Sequence, residues 1–132
     1  MKRIFVSFLI FFVGSEFIQT KAISYSSNPE GFISEVIEEA KIILSSPSSS
    51  DEKANKLSEI ALKTVDIKGL AFYTLGKKRK EITPEELKRY ESLFEKYFLK
   101  SFTSRLTDYS DPKINVLSSD VINEKYTIVR IY

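Results

Sequence analysis

Three pairs of carboxylates are the first groups to weigh for chemistry: Glu35 with Glu39, Glu85 with Glu86, and Glu91 with Glu95. Acid–base catalysis needs two carboxyls held in environments that push their proton affinities apart. These pairs lie instead on polar helix faces, or in a first helical turn where the helix dipole favours acids. No catalytic residue is assigned. The chain has no His and no Cys. That excludes a Ser-His-Asp triad, a Cys nucleophile and a Cys/His zinc site, and no metal ligand is assigned either. With no disulfide possible, an apolar core must hold the fold.

Two other patterns carry more. The first is the consecutive run Lys77-Lys78-Arg79-Lys80. It follows a helix end, where cations offset exposed carbonyls, so it is either a solvated loop closing that helix or a docking point for an acidic partner or phospholipid phosphates. The second is an aromatic stripe. Tyr90, Phe94, Phe98 and Phe102 recur every four residues, with Leu87 and Tyr97 beside them and Leu93, Leu99 and Leu106 widening the band. Such a stripe is either ordinary core or the wall of an apolar ligand cavity. Placing Tyr90 and Tyr97 on the buried side requires partners for their hydroxyls.

These residues need elements to position them. Asn28-Pro29 opens an amphipathic helix that carries Phe32, Ile33, Val36, Ile37, Ala40, Ile43 and Leu44, and Ser45 to Ser50 ends it. A second helix starts near Asp51-Glu52 with Ala54, Leu57, Ile60 and Ala61 on its apolar side. Asp66 caps a third, shorter helix through Leu75, and Gly76 ends it in a left-handed conformation. Thr83-Pro84-Glu85-Glu86 is a capping box with proline at the first helical position; the long aromatic helix that it opens runs to about Leu106. From Lys113 the period changes to two. Two antiparallel strands, joined through Ser118-Ser119-Asp120, account for the alternation up to Tyr132. The expected class is α+β: about four helices packed on an antiparallel sheet of which only the first two strands are present. A lone hairpin is marginal in water, so the domain is expected to be incomplete at its C-terminus.

The N-terminus has a different character. Lys2 and Arg3 precede the apolar run Ile4–Val13, and Thr20-Lys21-Ala22 sets small residues three and one positions before a cut after Ala22. That is the order of a cleavable secretory signal peptide over residues 1–22. The apolar run is about half of the ~20 residues that a membrane-spanning helix needs. The remaining residues, 23–132, suffice for one domain. The formal charge of +2 belongs to the leader, where Lys2, Arg3 and Lys21 sit against Glu16; the rest is neutral. A nucleic-acid partner, which calls for a basic surface, is not expected.

The segment from Val65 through Lys77, then Thr83-Pro84-Glu85-Glu86-Leu87, then Tyr90, Phe94 and Tyr97-Phe98, resembles the MlaC family, the periplasmic phospholipid-binding proteins also described as toluene-tolerance auxiliary components. The order matches: a Val-Asp helix ending in Leu-Gly, a basic stretch, a Thr-Pro cap and a long aromatic helix. The resemblance extends from about Asn28 to Val129. It implies a non-enzymatic carrier with no cofactor, in which acyl chains lie between helices and a curved sheet. It further implies a periplasmic shuttle moving phospholipid between an outer-membrane lipoprotein complex and an inner-membrane ABC transporter complex, maintaining outer-membrane lipid asymmetry. By positional match, Leu70, Phe72, Leu75, Tyr90, Phe94, Phe98 and Phe102 are the lipid-contacting or core residues. Relative to the family pattern the chain lacks later strands, as a truncated or split gene product would. The alternative is an exported helical interaction or chaperone-like protein without a ligand cavity, in which Phe94 and Phe98 would pack tightly against the hairpin.

Overall fold

The computed structural model describes residues 24–132; the signal peptide assigned to residues 1–22 lies outside them. Four α-helices precede an antiparallel hairpin, an α+β arrangement: α1 Pro29–Ser45, α2 Ser50–Thr64, α3 Ile67–Thr74, α4 Pro84–Leu106, β1 Val116–Asn123 and β2 Tyr126–Ile131.

Local chemistry sets the helix starts. Asn28 Oδ1 accepts the Gly31 amide at 3.0 Å, with Pro29 in the first turn of α1. Asp66 Oδ1 accepts the Gly69 amide at 2.9 Å to open α3. Thr83 and Glu86 exchange both hydrogen bonds of the capping box on α4, at 2.8 and 3.2 Å. Helix α2 begins slightly earlier than Asp51-Glu52 suggests, because Ser49 and Glu52 form a second reciprocal box. Gly76 takes the left-handed conformation, φ 54°, that stops α3; a side chain there would be strained. The following Gly76–Lys80 stretch is not an irregular loop but a 3₁₀ turn. At the other end of the bundle, the Lys53 ammonium donates to the Leu44 carbonyl at 2.7 Å and so satisfies the C-terminus of α1.

The core is small and helical. Leu44 of α1, Leu57, Ile60 and Ala61 of α2, and Ile67 and Ala71 of α3 are buried, and Leu57 is only 1% exposed. Ala61 and Ala71 add no bulk, which permits close helix approach. Thr103 of α4 is buried too, with its hydroxyl donated to the Leu99 carbonyl at 2.9 Å. Helix α2 packs on α1 and α4, while α3 packs on α4. Ahead of α1 the chain folds back along it: the Tyr25 ring meets Phe32 edge-on at 5.5 Å, and its hydroxyl donates to Glu39.

The hairpin departs from the sequence expectation in its register. Ser118, Ser119 and Asp120 do not form the connection; they lie within β1, opposite Arg130, Val129 and Ile128. The turn is Glu124-Lys125, where Asn123 Oδ1 accepts the Lys125 amide at 2.9 Å. An Asn side chain that binds the backbone two residues on imitates a turn. Register shifts between Val116 and Ser118, and between Val121 and Asn123, break the simple alternation of β1. In β2 Thr127 and Val129 are half-buried while Tyr126, Ile128 and Arg130 are exposed, as their alternation implies; Ile131, on the Val129 side by count, is also exposed. The hairpin packs chiefly on α1, and the Ser119 hydroxyl donates to Glu30 in the first turn of that helix.

Candidate functional site

The i, i+4 spacing on α4 stacks four rings into a ladder. Tyr90–Phe94, Phe94–Phe98 and Phe98–Phe102 have centroid separations of 6.0, 6.3 and 5.8 Å; the last two pairs are nearly parallel. At ~1.5 Å of rise per residue, the ladder spans roughly 18 Å from Tyr90 to Phe102. All four rings are half-buried rather than enclosed. The Tyr90 hydroxyl lies 2.7 Å from Thr74 Oγ1. Thr74 donates its own proton to the Ala71 carbonyl at 2.8 Å, so Tyr90 is the donor to Thr74. Its partner is therefore another side chain of the protein. Tyr97 does not belong to the buried side: it is 71% exposed, because a 3.6-residue turn carries it off the Tyr90–Phe102 line.

Phe102 ends the ladder and begins a second feature. A cleft of about 670 Å³ opens between α1, the end of α4 and the segment leading into β1. Val36, Ile37, Ala40 and Leu44 line one wall; Phe102, Leu106, Tyr109 and Ile114 line the other. Its size is typical of small-molecule sites, which run to ~300–1,000 Å³. Lys41 sits at its edge, paired with Glu38 at 2.9 Å, together with Asp111 and Lys113. A shallower depression of about 230 Å³ lies along the ladder and is lined by Phe94, Tyr97, Phe98, Ser101, Phe102 and Arg105. Phe102 borders both.

The seven residues expected to contact lipid thus divide. Tyr90, Phe94, Phe98 and Phe102 form one line along α4. Leu75 is half-buried at the end of α3. Leu70 and Phe72 are each 42% exposed, on the faces of α3 not occupied by Ile67 and Ala71. Phe72 lies under the Arg79 guanidinium, 5.2 Å from ring centroid to cation. The α1 wall of the cleft is absent from that set of seven. Val36, Ile37, Ala40 and Leu44 carry a sequence signal, the helical spacing of α1, but it is the same signal that core residues give.

Among the described residues, no three Asp or Glu side chains converge as metal ligands would. Glu86 is lowered because the Thr83 amide and hydroxyl stabilise its ionised form; that is capping chemistry. Burial and the hydrogen bond to Glu39 push the Tyr25 phenol up to about 12. Among the described residues no helix is long and apolar enough to cross a membrane.

Fold and site together define a small α+β protein with an open apolar track and an apolar cleft. The sequence profile of the MlaC protein family matches residues 34–132, and the chain belongs to that family. Membership carries a periplasmic lipid-binding role in lipid transport. Searches of curated proteins and of solved structures found no match.

Proposed function

We propose that this protein is a periplasmic carrier that holds a phospholipid by its acyl chains, one laid along the Tyr90–Phe102 ladder and one in the cleft between α1 and the end of α4. The observation that carries this reading is the position of Phe102, shared by track and cleft. It makes one continuous apolar surface from two. The hydrocarbon core of a bilayer is ~30 Å thick, so an acyl chain of one leaflet reaches ~15 Å; the ladder is long enough to take it. Each methylene kept from water contributes about 0.8 kcal/mol. Such a site needs length and apolarity and no reactive group, which supports a non-enzymatic role.

The carrier reading extends to the family's pathway: phospholipid exchanged between an outer-membrane lipoprotein complex and an inner-membrane ABC transporter complex, in support of outer-membrane lipid asymmetry. Export by the leader, cut after Ala22, supplies the periplasmic address. The competing interaction-protein reading needs Phe94 and Phe98 packed tightly under the hairpin. The hairpin instead packs chiefly on α1, and the two rings border an open depression, which favours the carrier.

Native mass spectrometry of the protein purified from an envelope fraction tests the proposal. A mass increment of one phospholipid, lost on organic extraction, is the expected result. Protein that emerges without lipid, and takes none up from mixed micelles, would overturn it.

A further inference from the structure

The 3₁₀ turn after α3 has a composition that the cargo site does not use. Beyond the leader the chain is formally neutral, yet Lys77, Lys78, Arg79 and Lys80 are consecutive and all exposed. Lys78 is paired with Glu81 at 2.8 Å. Glu86, the nearby acid of α4, is held by the Thr83 amide. Among the described residues neither Lys77 nor Lys80 has an ion-pair partner. Exposed apolar groups stand directly before these cations: Leu70 and Phe72, each 42% exposed, and Tyr73, 78% exposed. The Arg79 guanidinium rests over the Phe72 ring, so charge and aromatic surface are joined at one tip.

We infer that this tip is a peripheral docking element for an anionic bilayer surface. The cations supply attraction to lipid phosphates, worth about fivefold in affinity for each residue near the surface. Tyr73 has the aromatic body and polar end that suit the head-group layer, and Phe72 adds apolar surface beside it. An acidic protein segment would engage the cations and leave Tyr73 without a role; a membrane surface uses both. The tip also stands at the N-terminal end of α4, ahead of Tyr90, where the ladder begins. Docking there turns the head of the apolar track toward the bilayer. The inference goes beyond the cargo reading and does not depend on it.

The test is co-sedimentation of the purified full chain with phosphatidylcholine vesicles and with vesicles of phosphatidylcholine mixed with phosphatidylglycerol. Preferential binding to the anionic vesicles, weakening as salt rises, is expected. The double variant Lys77→Ala/Lys80→Ala should bind about 25-fold more weakly, from two cations at about fivefold each. Lys56→Ala/Lys125→Ala removes the same net charge from exposed positions elsewhere and should leave binding nearly unchanged. Tyr73→Ser should lower binding at high and low salt alike. Circular dichroism confirms that each variant is folded, and the salt titration of the unaltered chain stands without them. Equal binding to both vesicle types, no binding, or equal losses in the two double variants would overturn the inference. Native mass spectra of the same samples report bound phospholipid separately, so loss of docking with cargo retained is distinguishable from failure of the carrier reading.

Discussion

Replacing Phe98 by Ala separates a ligand track from a core. Phe98 sits in the middle of the ladder, 6.3 Å from Phe94 and 5.8 Å from Phe102, centroid to centroid. It is half-buried. In the empty protein the loss has three parts. Two helix-surface side-chain pairs contribute about 0.2–0.5 kcal/mol each. Half of the burial free energy of a large apolar side chain is about 1 kcal/mol. Alanine returns about 0.5 kcal/mol through its better helix propensity. The net destabilisation is therefore about 1 kcal/mol, against about 3–5 kcal/mol for a phenylalanine enclosed in a core. Lipid affinity should fall further. A missing ring leaves two or three methylenes of the acyl chain against water, about 2 kcal/mol at 0.8 each, or about 30-fold in affinity. Urea unfolding of delipidated protein gives the first quantity; competition between lipids followed by native mass spectrometry gives the second. Destabilisation of the size expected for a closed core would refute the claim that the ladder is open. An unchanged lipid affinity would refute the claim that it is the track.

The remaining expectations concern the scaffold. Leu57→Ala, at the most enclosed large side chain of the core, should cost about 2–5 kcal/mol in urea unfolding, with lipid selectivity among surviving folded molecules unaltered. Thr83→Ala removes the capping hydroxyl that accepts the Glu86 amide and helps to lower the proton affinity of Glu86, while the backbone amide at position 83 remains; loss of the cap should cost about 1 kcal/mol at neutral pH. Because the folded value lies below the unfolded one, the Glu86 contribution is present above the unfolded pKa and is lost as pH falls through the folded one, so the difference between variant and parent should shrink in acid. Tyr25 is shifted the other way, from 10.0 up to about 12. Its contribution is complete below pH 10 and is lost as pH rises toward 12. Ultraviolet titration should show one late phenol that disappears in Tyr25→Phe.

Much of the scaffold is legible because its signals are local. Asn28-Pro29, Asp66, Gly76 and Thr83-Pro84 fix the ends of elements through groups within three residues of each other, and the structure shows each in that role. The hairpin is harder. Ser118-Ser119-Asp120 has the composition of a turn, whereas the actual turn depends on one Asn123 side-chain hydrogen bond and on two register shifts that blur the alternation. The ladder follows from i, i+4 spacing alone. The cleft does not, since it joins Val36 to Ile114 across most of the chain. Its α1 wall has the helical period of a core stripe, and periodicity cannot distinguish a face that meets protein from one that meets a ligand. Tyr97 shows the converse limit: as an aromatic beside the stripe it counts as buried by type, but helical phase carries it to solvent.

The open ladder also bears on how stability and function are coupled. A domain of this size is held by a small net free energy, about 5–15 kcal/mol, and six buried apolar side chains form the core among the described residues. Leaving four aromatic rings half-exposed forgoes burial that the helices could otherwise have had. A ligand that binds only the folded state restores it, adding RT ln(1 + [L]/Kd), about 2.7 kcal/mol at a hundredfold excess over Kd. The ladder then contributes little to the empty protein and much to the loaded one. Phe98→Ala should accordingly cost about 1 kcal/mol in delipidated protein and about 3 kcal/mol in protein saturated with phospholipid, because the ~30-fold loss of affinity adds about 2 kcal/mol to the loaded state alone. A ring that served only as packing would give the same cost in both conditions.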